Sequence, residues 1–97
     1  MDTLFHSFLF RRLFDTHDPE YINLVVKPCE HFCWNIRSFR FSHKQRTRTD
    51  KWIEIEFTFS IEITDRNANS KIASLFAFAE SMNLMFMGHH AVTFEEL

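Results

Sequence analysis

The chain has 97 residues, of which 45% are hydrophobic and 13 are phenylalanine, so it is long enough to bury one aromatic core and too apolar to be disordered. Its single glycine leaves no glycine-rich loop for phosphates, which argues against P-loop and dinucleotide-binding folds. The formal charge of −2 hides a strong polarity, because six basic residues and one acidic residue give residues 37–51 a net charge of +5, against −7 in the remainder. We expect one globular domain over residues 1–97, with an acidic body and a basic protrusion.

The number of cysteines and the length of the first apolar run indicate the cellular compartment. Two cysteines are too few for a disulfide framework, and Arg11 and Arg12 interrupt the run after Met1 too early for a signal peptide or a membrane span. The sequence therefore predicts a cytoplasmic protein without a membrane partner. It contains no cofactor motif, and no small-molecule substrate is evident from it.

Residues 3–14 carry apolar side chains at intervals of three and four, which predicts an amphipathic helix. Phe8 and Phe10 also fit a short strand, so that alternative stays open. A turn is expected over residues 15–20. Residues 21–27 then alternate in polarity and are rich in β-branched side chains, which predicts the first strand.

Two further strands are expected to pair with it as a meander. The second runs from His31 to Phe41 with a bulge near Arg37. The third is the clearest element of the chain, since residues 51–64 place isoleucine or phenylalanine at every second position from 53 to 63. Matching the apolar faces sets Phe41 opposite Ile53, and it leaves residues 43–51 as a basic hairpin tip.

The last third of the chain predicts a second helix over residues 70–82, from the spacing of its apolar residues. Residues 84–87 extend this helix or begin a strand, Gly88 breaks either, and residues 91–94 form a short edge strand. The expected fold is α+β: a three-stranded antiparallel meander with a possible fourth edge strand. Two helices pack on one face of this sheet and leave its other face open.

Two surfaces are candidates for binding a partner. Arg40 is expected to pair with Glu54 across the sheet, which leaves the cations of the hairpin tip uncompensated. An aromatic side chain, Tyr21 or Trp52, is expected to anchor the complex. The predicted partner-binding residues are those of the tip (Lys44, Arg46, Arg48 and Lys51) and those of the open face (Tyr21, Glu54, Glu56 and Glu62).

These surfaces indicate a small non-enzymatic protein that acts by occupying a macromolecular partner, with a protein favoured. Inhibitors, immunity proteins and phage counter-defence proteins have this size and character. The alternative is a nucleic-acid or ribonucleoprotein binder that uses the basic tip, because lysine and arginine on a protrusion can contact phosphates.

A metal site and a catalytic site are both disfavoured by the sequence. Cys29, His31 and Cys33 follow a C-x-H-x-C pattern to which His89 or His90 would add a fourth ligand, but structural zinc sites usually use two separated pairs of ligands. A Cys33–His31 or Cys33–His89 nucleophile would need an oxyanion hole, for which no motif is present. We therefore predict no metal ligands and no catalytic residues.

One local resemblance concerns the passage from the second helix to the following strand. Glu80, Asn83, Leu84, Phe86 and Gly88 in residues 80–88 resemble the corresponding passage of the YggL-like family, whose members bind the large ribosomal subunit. The resemblance implies that residues 84–87 are a strand and that the partner is a ribonucleoprotein.

Overall fold

A computed structural model describes residues 3–17 and 20–97, and its elements follow the order β-α-β-β-α-β. A π-helical segment (Ile22–Val26) leads into the first helix, and a short 3₁₀ turn (Phe94–Glu96) follows the last strand. The main elements are β1 (Leu4–Asp15), α1 (Lys27–Asn35), β2 (Phe39–Arg48), β3 (Trp52–Glu62), α2 (Ala68–Ser81) and β4 (Met85–Thr93). The predicted turn over residues 15–20 includes residues 18 and 19, which lie outside the described ranges.

The four strands form one antiparallel sheet in the order β2-β3-β1-β4. The α+β class with an antiparallel sheet and two helices is confirmed, and the sheet has four full strands. It is not a meander, because only β2 and β3 form a hairpin, while β1 and β4 are joined to them through the helices.

The strand predicted over residues 51–64 is confirmed as β3, and it forms the centre of the core. Its apolar side is almost inaccessible to water, with Phe57, Phe59 and Ile61 at 0% exposure. Both helices pack against this side. The first contributes Cys29 of α1 and Val25 of the π-helical segment before it, and α2 contributes Leu75 and Ala79. The helix predicted over residues 70–82 is confirmed as α2. Within the described ranges, no α-helix packs on the opposite face of the sheet, which we call the open face.

The amphipathic helix predicted for residues 3–14 is wrong, because these residues form β1. β1 lies between β3 and β4, so both of its edges are paired, and it carries apolar side chains on both faces. Phe8 and Phe10 are buried toward the helices, while Phe5 is buried on the other face beside Phe94. Two apolar faces on one central strand imitate the three- and four-residue spacing of a helix, and this explains the error.

The strand predicted for residues 21–27 is also wrong, and so is the start of the next strand at His31, because residues 22–35 are helical. Residues 39–41 of that second predicted strand are extended, as the beginning of β2. The buried residues Val25, Val26, Cys29 and Cys33 lie on one side of this helix, which packs on the sheet. Its β-branched residues favour a strand locally, but burial of this helical stripe outweighs the local preference. Tyr21 consequently lies on the helix side, with its ring 5.1 Å from that of Phe14, and not on the open face.

The hairpin register predicted for β2 and β3 is wrong by six residues. Phe41 lies opposite Phe59 and not opposite Ile53. An even shift keeps every side chain on its original face, so the apolar pattern alone does not distinguish the two registers. The predicted basic tip is mostly strand, since β2 continues to Arg48 and the connection is a tight turn in which Thr49 accepts hydrogen bonds from the backbone N–H groups of residues 51 and 52.

The predicted chain break at Gly88 is wrong, because β4 runs through it from Met85 to Thr93. A β-bulge beside Leu9 and Phe10 absorbs one extra residue of β4. The turn from α2 into β4 is made by Asn83, which has a positive φ of 56°, a conformation that asparagine tolerates better than most residues.

Candidate functional site

The open face of the sheet is organised around two carboxylates of β3. Glu54 and Glu56 are only 7% and 9% exposed, because cations from both neighbouring strands lie over them. Arg11 of β1 donates a hydrogen bond of 2.9 Å to Glu54, and Arg46 of β2 lies 3.7 Å from each carboxylate. Lys44 is 3.9 Å from Glu56 and remains largely exposed. The centre of this face is therefore an ion-pair network and not a simple acidic strip.

The open face is concave. Arg46 on β2 reaches the sulfur of Met87 on β4 at 3.4 Å, although β3 and β1 lie between their strands. Long side chains of the two outer strands thus meet above the two central strands. A trough on this face has a volume of about 660 Å³. A continuation of about 420 Å³ lies beside Leu9 and Gly88.

Exposed apolar side chains lie on the same face as the trough. Met85 of β4, whose sulfur lies 3.4 Å from Arg11 Nε, is 57% exposed, and Leu13 of β1 is 53% exposed. Trp52 starts β3 on the same face and is half exposed. At the opposite end Arg40 lies over the rings of two phenylalanines, at 5.3 Å from the Phe5 centroid and 4.7 Å from that of Phe94. The face therefore combines fixed charges with accessible apolar surface.

Half of the predicted partner-binding residues converge on this network: Lys44, Arg46, Glu54 and Glu56. Arg48 and Lys51 lie at the far end, beside or within the β2–β3 turn, while Glu62 ends β3 at the other end and lies opposite Phe5. Tyr21 is absent from this face, and the predicted pairing of Arg40 with Glu54 is wrong, because Arg40 lies opposite Ser60. Arg11, Met85 and Met87 also lie on this face, but the sequence does not predict them there. The spacing of residues 3–14 indicates a helix, and the extent of β4 is not evident from its residues.

A second cavity lies between α1 and the outer edge of β2. No pattern in the sequence predicts it. It has a volume of about 670 Å³. Trp34 at its rim is 67% exposed and is the most exposed of the large apolar side chains that the structure describes. The lining combines aromatic residues with a few polar ones: Glu30, Cys33, Trp34, Arg37, Phe39, Phe41 and His43. We call this cavity the edge cleft.

The cysteine and histidine residues of the C-x-H-x-C pattern are not brought together. Cys29 and Cys33 are buried on the inner side of α1, whereas His31 is exposed beside Trp34. Burial raises the pKa of both thiols to about 12, with the charges of Cys33 and Glu30 adding to the effect at Cys29.

Elsewhere, His6 and His89 share a hydrogen bond of 2.9 Å between ring nitrogens. Within the described ranges, no three side chains of His, Cys, Asp or Glu are grouped for a metal ion.

Comparisons with known proteins support the fold. No protein-family model and no curated protein sequence matches this chain. Among solved structures, At3g17210 from Arabidopsis thaliana is similar with a TM-score of 0.52 and 15% identity, over 94% of this chain and 92% of that one. A dimeric ferredoxin-like protein from an uncultured marine organism (TM-score 0.48, 16% identity, 94% of each chain) and HapK from Hahella chejuensis (TM-score 0.48, 22% identity, 95% and 90%) are also similar. At these identities the likeness concerns the fold alone. No helix in the described ranges is long and apolar enough to cross a lipid bilayer.

Proposed function

We propose that this chain is a non-enzymatic binding protein that acts by occupying a protein partner, and that the open face of its sheet is the contact surface. The observation that carries the proposal is the composition of the open face, on which paired carboxylates and arginines lie among the exposed side chains of Met85, Met87 and Leu13. Methionine and arginine are enriched in protein interfaces, and a fixed charge pattern selects a complementary partner. Inhibitors and immunity proteins act by occupation in this manner.

Nucleic-acid or ribonucleoprotein binding is the second candidate function. The net +5 of residues 37–51 favours it, with Arg48 and Lys51 at the turn available to phosphates. Two cations that were expected to be uncompensated, Lys44 and Arg46, instead face Glu54 and Glu56. These ion pairs reduce the positive potential over the centre of the open face, and this supports the choice of a protein partner.

A space-filling substitution offers the sharpest test of the open face. Gly88 lies on the trough, and no described atom comes within 4 Å of a Cβ added there. Gly88→Phe therefore directs a ring toward the trough from a position whose Cβ meets no described atom. Ala77→Phe adds the same ring to an exposed position on α2 and serves as the matched control.

The experiment begins with cross-linking and mass spectrometry of proteins that co-elute stoichiometrically with the wild-type chain. The purified partner is then titrated by calorimetry against the wild type and both variants. We expect Gly88→Phe to weaken binding about tenfold or more and Ala77→Phe to leave it unchanged. Equal binding by the two variants would overturn the role of the open face. RNA or DNA binding that weakens steeply with salt and disappears in Arg48→Ala/Lys51→Ala, in the absence of any protein partner, would establish the second candidate instead.

A further inference from the structure

We propose that the outer edge of β2 binds an extended, acidic segment of the partner, which joins the sheet as a fifth strand. This inference rests on the proposed function and names the part of the partner that this edge would hold. Its basis is the position of β2, the chemistry that β2 already shows toward β3, and the edge cleft beside it.

β2 provides a long free edge. Within the part of the chain that the structure describes, β2 pairs with β3 on one side and with no strand on the other. An edge strand presents backbone N–H and C=O groups that can pair with another extended chain. The bulge between Gln45 and Thr47 interrupts the regular ladder, so residues 39–45 are the run that remains suited to pairing.

The inner edge of β2 shows which chemistry suits this strand. Its neighbour β3 alternates acidic or hydroxyl side chains with apolar ones, and it places Glu56 opposite Lys44 on the open face and Phe59 opposite Phe41 on the helix side. Cross-strand pairs of this kind stabilise a sheet. A chain on the outer edge would meet the same strand. On the open face it would meet the exposed Lys44 and Arg40, whose guanidinium also contacts the Phe5 and Phe94 rings, and on the helix side it would meet Phe41 and His43. Its preferred sequence therefore alternates carboxylates with apolar residues.

The edge cleft gives such a strand a place for its apolar side chains. Phe39, Phe41 and His43 of β2 form one wall of the cleft, and Trp34 of α1 stands at its rim. An apolar side chain on the helix side of a fifth strand would enter this space and contact Trp34. Exposed tryptophan at a cavity rim is a favourable anchor for a partner. Arg37 and Glu30 of the same lining offset each other in charge, so the preference for an acidic segment comes from Arg40 and Lys44 of β2.

A second copy of this chain does not fit the edge. Two β2 strands pairing with each other would set a run of basic residues beside another, and like charges opposite one another destabilise a sheet. In the sheet formed by the described residues the other edge strand is β4, which contains no acidic residue in Met85–Thr93. The cations along β2 therefore discourage pairing between copies and admit an acidic chain, so they give selectivity as well as protection from aggregation.

The probe for this site is a capped peptide in which glutamate alternates with valine and one central tryptophan, with a length that matches residues 39–45. A second peptide carries lysine in place of every glutamate. Both are titrated into the isotopically labelled protein and followed by NMR amide shifts and hydrogen exchange. We expect the acidic peptide to shift and protect amides of residues 39–45, and the lysine peptide to leave them unchanged.

Two variants test the recognition separately. Trp34→Ala alters an exposed side chain and leaves the core intact, so its folding is secure, and we expect it to weaken the acidic peptide about fivefold or more. Arg40→Glu/Lys44→Glu should reverse the preference and bind the lysine peptide. Lys27→Glu/Arg66→Glu changes net charge equally at exposed sites elsewhere and should behave as wild type.

The outcomes separate this inference from the proposed function. Equal binding of the two peptides, or no shift at residues 39–45 at millimolar peptide, overturns the edge site. A natural partner that is lost with Gly88→Phe but binds Trp34→Ala normally also overturns it, while the open-face proposal stands. A partner that ignores Gly88→Phe and is lost with Trp34→Ala gives the opposite result.

Discussion

Arg11 donates its hydrogen bond to Glu54, although the residue directly opposite it on β3 is Glu56. Because of this diagonal contact each carboxylate has two cationic partners. Glu54 contacts Arg11 and Arg46, and Glu56 contacts Arg46 and Lys44. Sharing matters because both carboxylates are largely removed from water, and an ionised group in that position needs partners to remain charged. The network thereby ties β1, β2 and β3 together across the open face.

The first prediction concerns the unequal importance of these cations. Arg11→Met removes the shortest contact to a carboxylate that is 7% exposed, so we expect a loss of about 1–3 kcal/mol in the free energy of unfolding. Lys44→Met removes a long contact from a largely exposed ammonium and should change stability by less than the error of urea unfolding. A larger loss for Lys44→Met than for Arg11→Met would contradict the assigned network.

The elements that sequence reasoning recovered are those whose pattern has one interpretation. β3 alternates polar with apolar side chains and α2 has one apolar stripe, so period alone identifies them. β1 fails because it carries apolar side chains on both faces, so its sequence lacks the alternation of a half-buried strand. The helix over residues 22–35 fails because its β-branched side chains favour a strand until the sheet beneath them is considered.

The candidate site was recovered only in part for a related reason. The alternation of β3 was enough to place Glu54 and Glu56 on a face away from the core. Which cations meet them depends on strand order and register, which are non-local properties, and an even slip leaves the pattern unchanged. Arg11 is therefore invisible as a partner of Glu54 until β1 is known to lie beside β3.

The second prediction concerns Gly88 in the folded chain alone. Its φ does not lie in the left-handed region, and a Cβ meets no described atom within 4 Å, so the position tolerates a side chain. Gly88→Val lowers the backbone entropy of the unfolded state and adds a β-branched residue to a strand. We expect a gain of about 0.5–1 kcal/mol in urea unfolding. A loss of stability would show that a neighbouring side chain moves into this space.

The third prediction tests the packing of α2 on the sheet. Leu75 is fully buried among the aromatic residues, so Leu75→Ala should lower the free energy of unfolding by about 2–5 kcal/mol. Leu24→Ala removes the same atoms from a side chain that is 60% exposed and should have little effect. Similar midpoints for the two variants in urea would be inconsistent with the assigned core.

The fourth prediction concerns the two thiols. Burial raises the pKa of Cys29 and Cys33 to about 12, so the reactive thiolate is scarce at pH 8. We expect both thiols to react with a disulfide reagent at pH 8 only after denaturant is added. The raised pKa also makes stability complete below the thiol pKa of the unfolded chain and lost as pH rises toward the folded-state value. Cys29→Ala/Cys33→Ala should flatten this alkaline decline, and rapid labelling of the native protein would contradict the assignment.

The fifth prediction concerns the contact between α2 and the loop before it. Lys71 of α2 donates a 2.8 Å hydrogen bond to Asp65 of the loop. This contact, with the backbone N–H of Asn67 and a smaller contribution from Ser38, lowers the pKa of Asp65 from its usual 3.8. A lowered folded-state pKa gives stability that is present above the unfolded value and is lost as pH falls through the folded one. Lys71→Met should therefore be less stable than wild type at neutral pH, with the difference shrinking in acid below pH 3.8. Arg66→Met, an exposed change in the same loop, is the control for thermal unfolding across pH, and a deficit in Lys71→Met that is constant with pH would exclude the Asp65 contact as its cause.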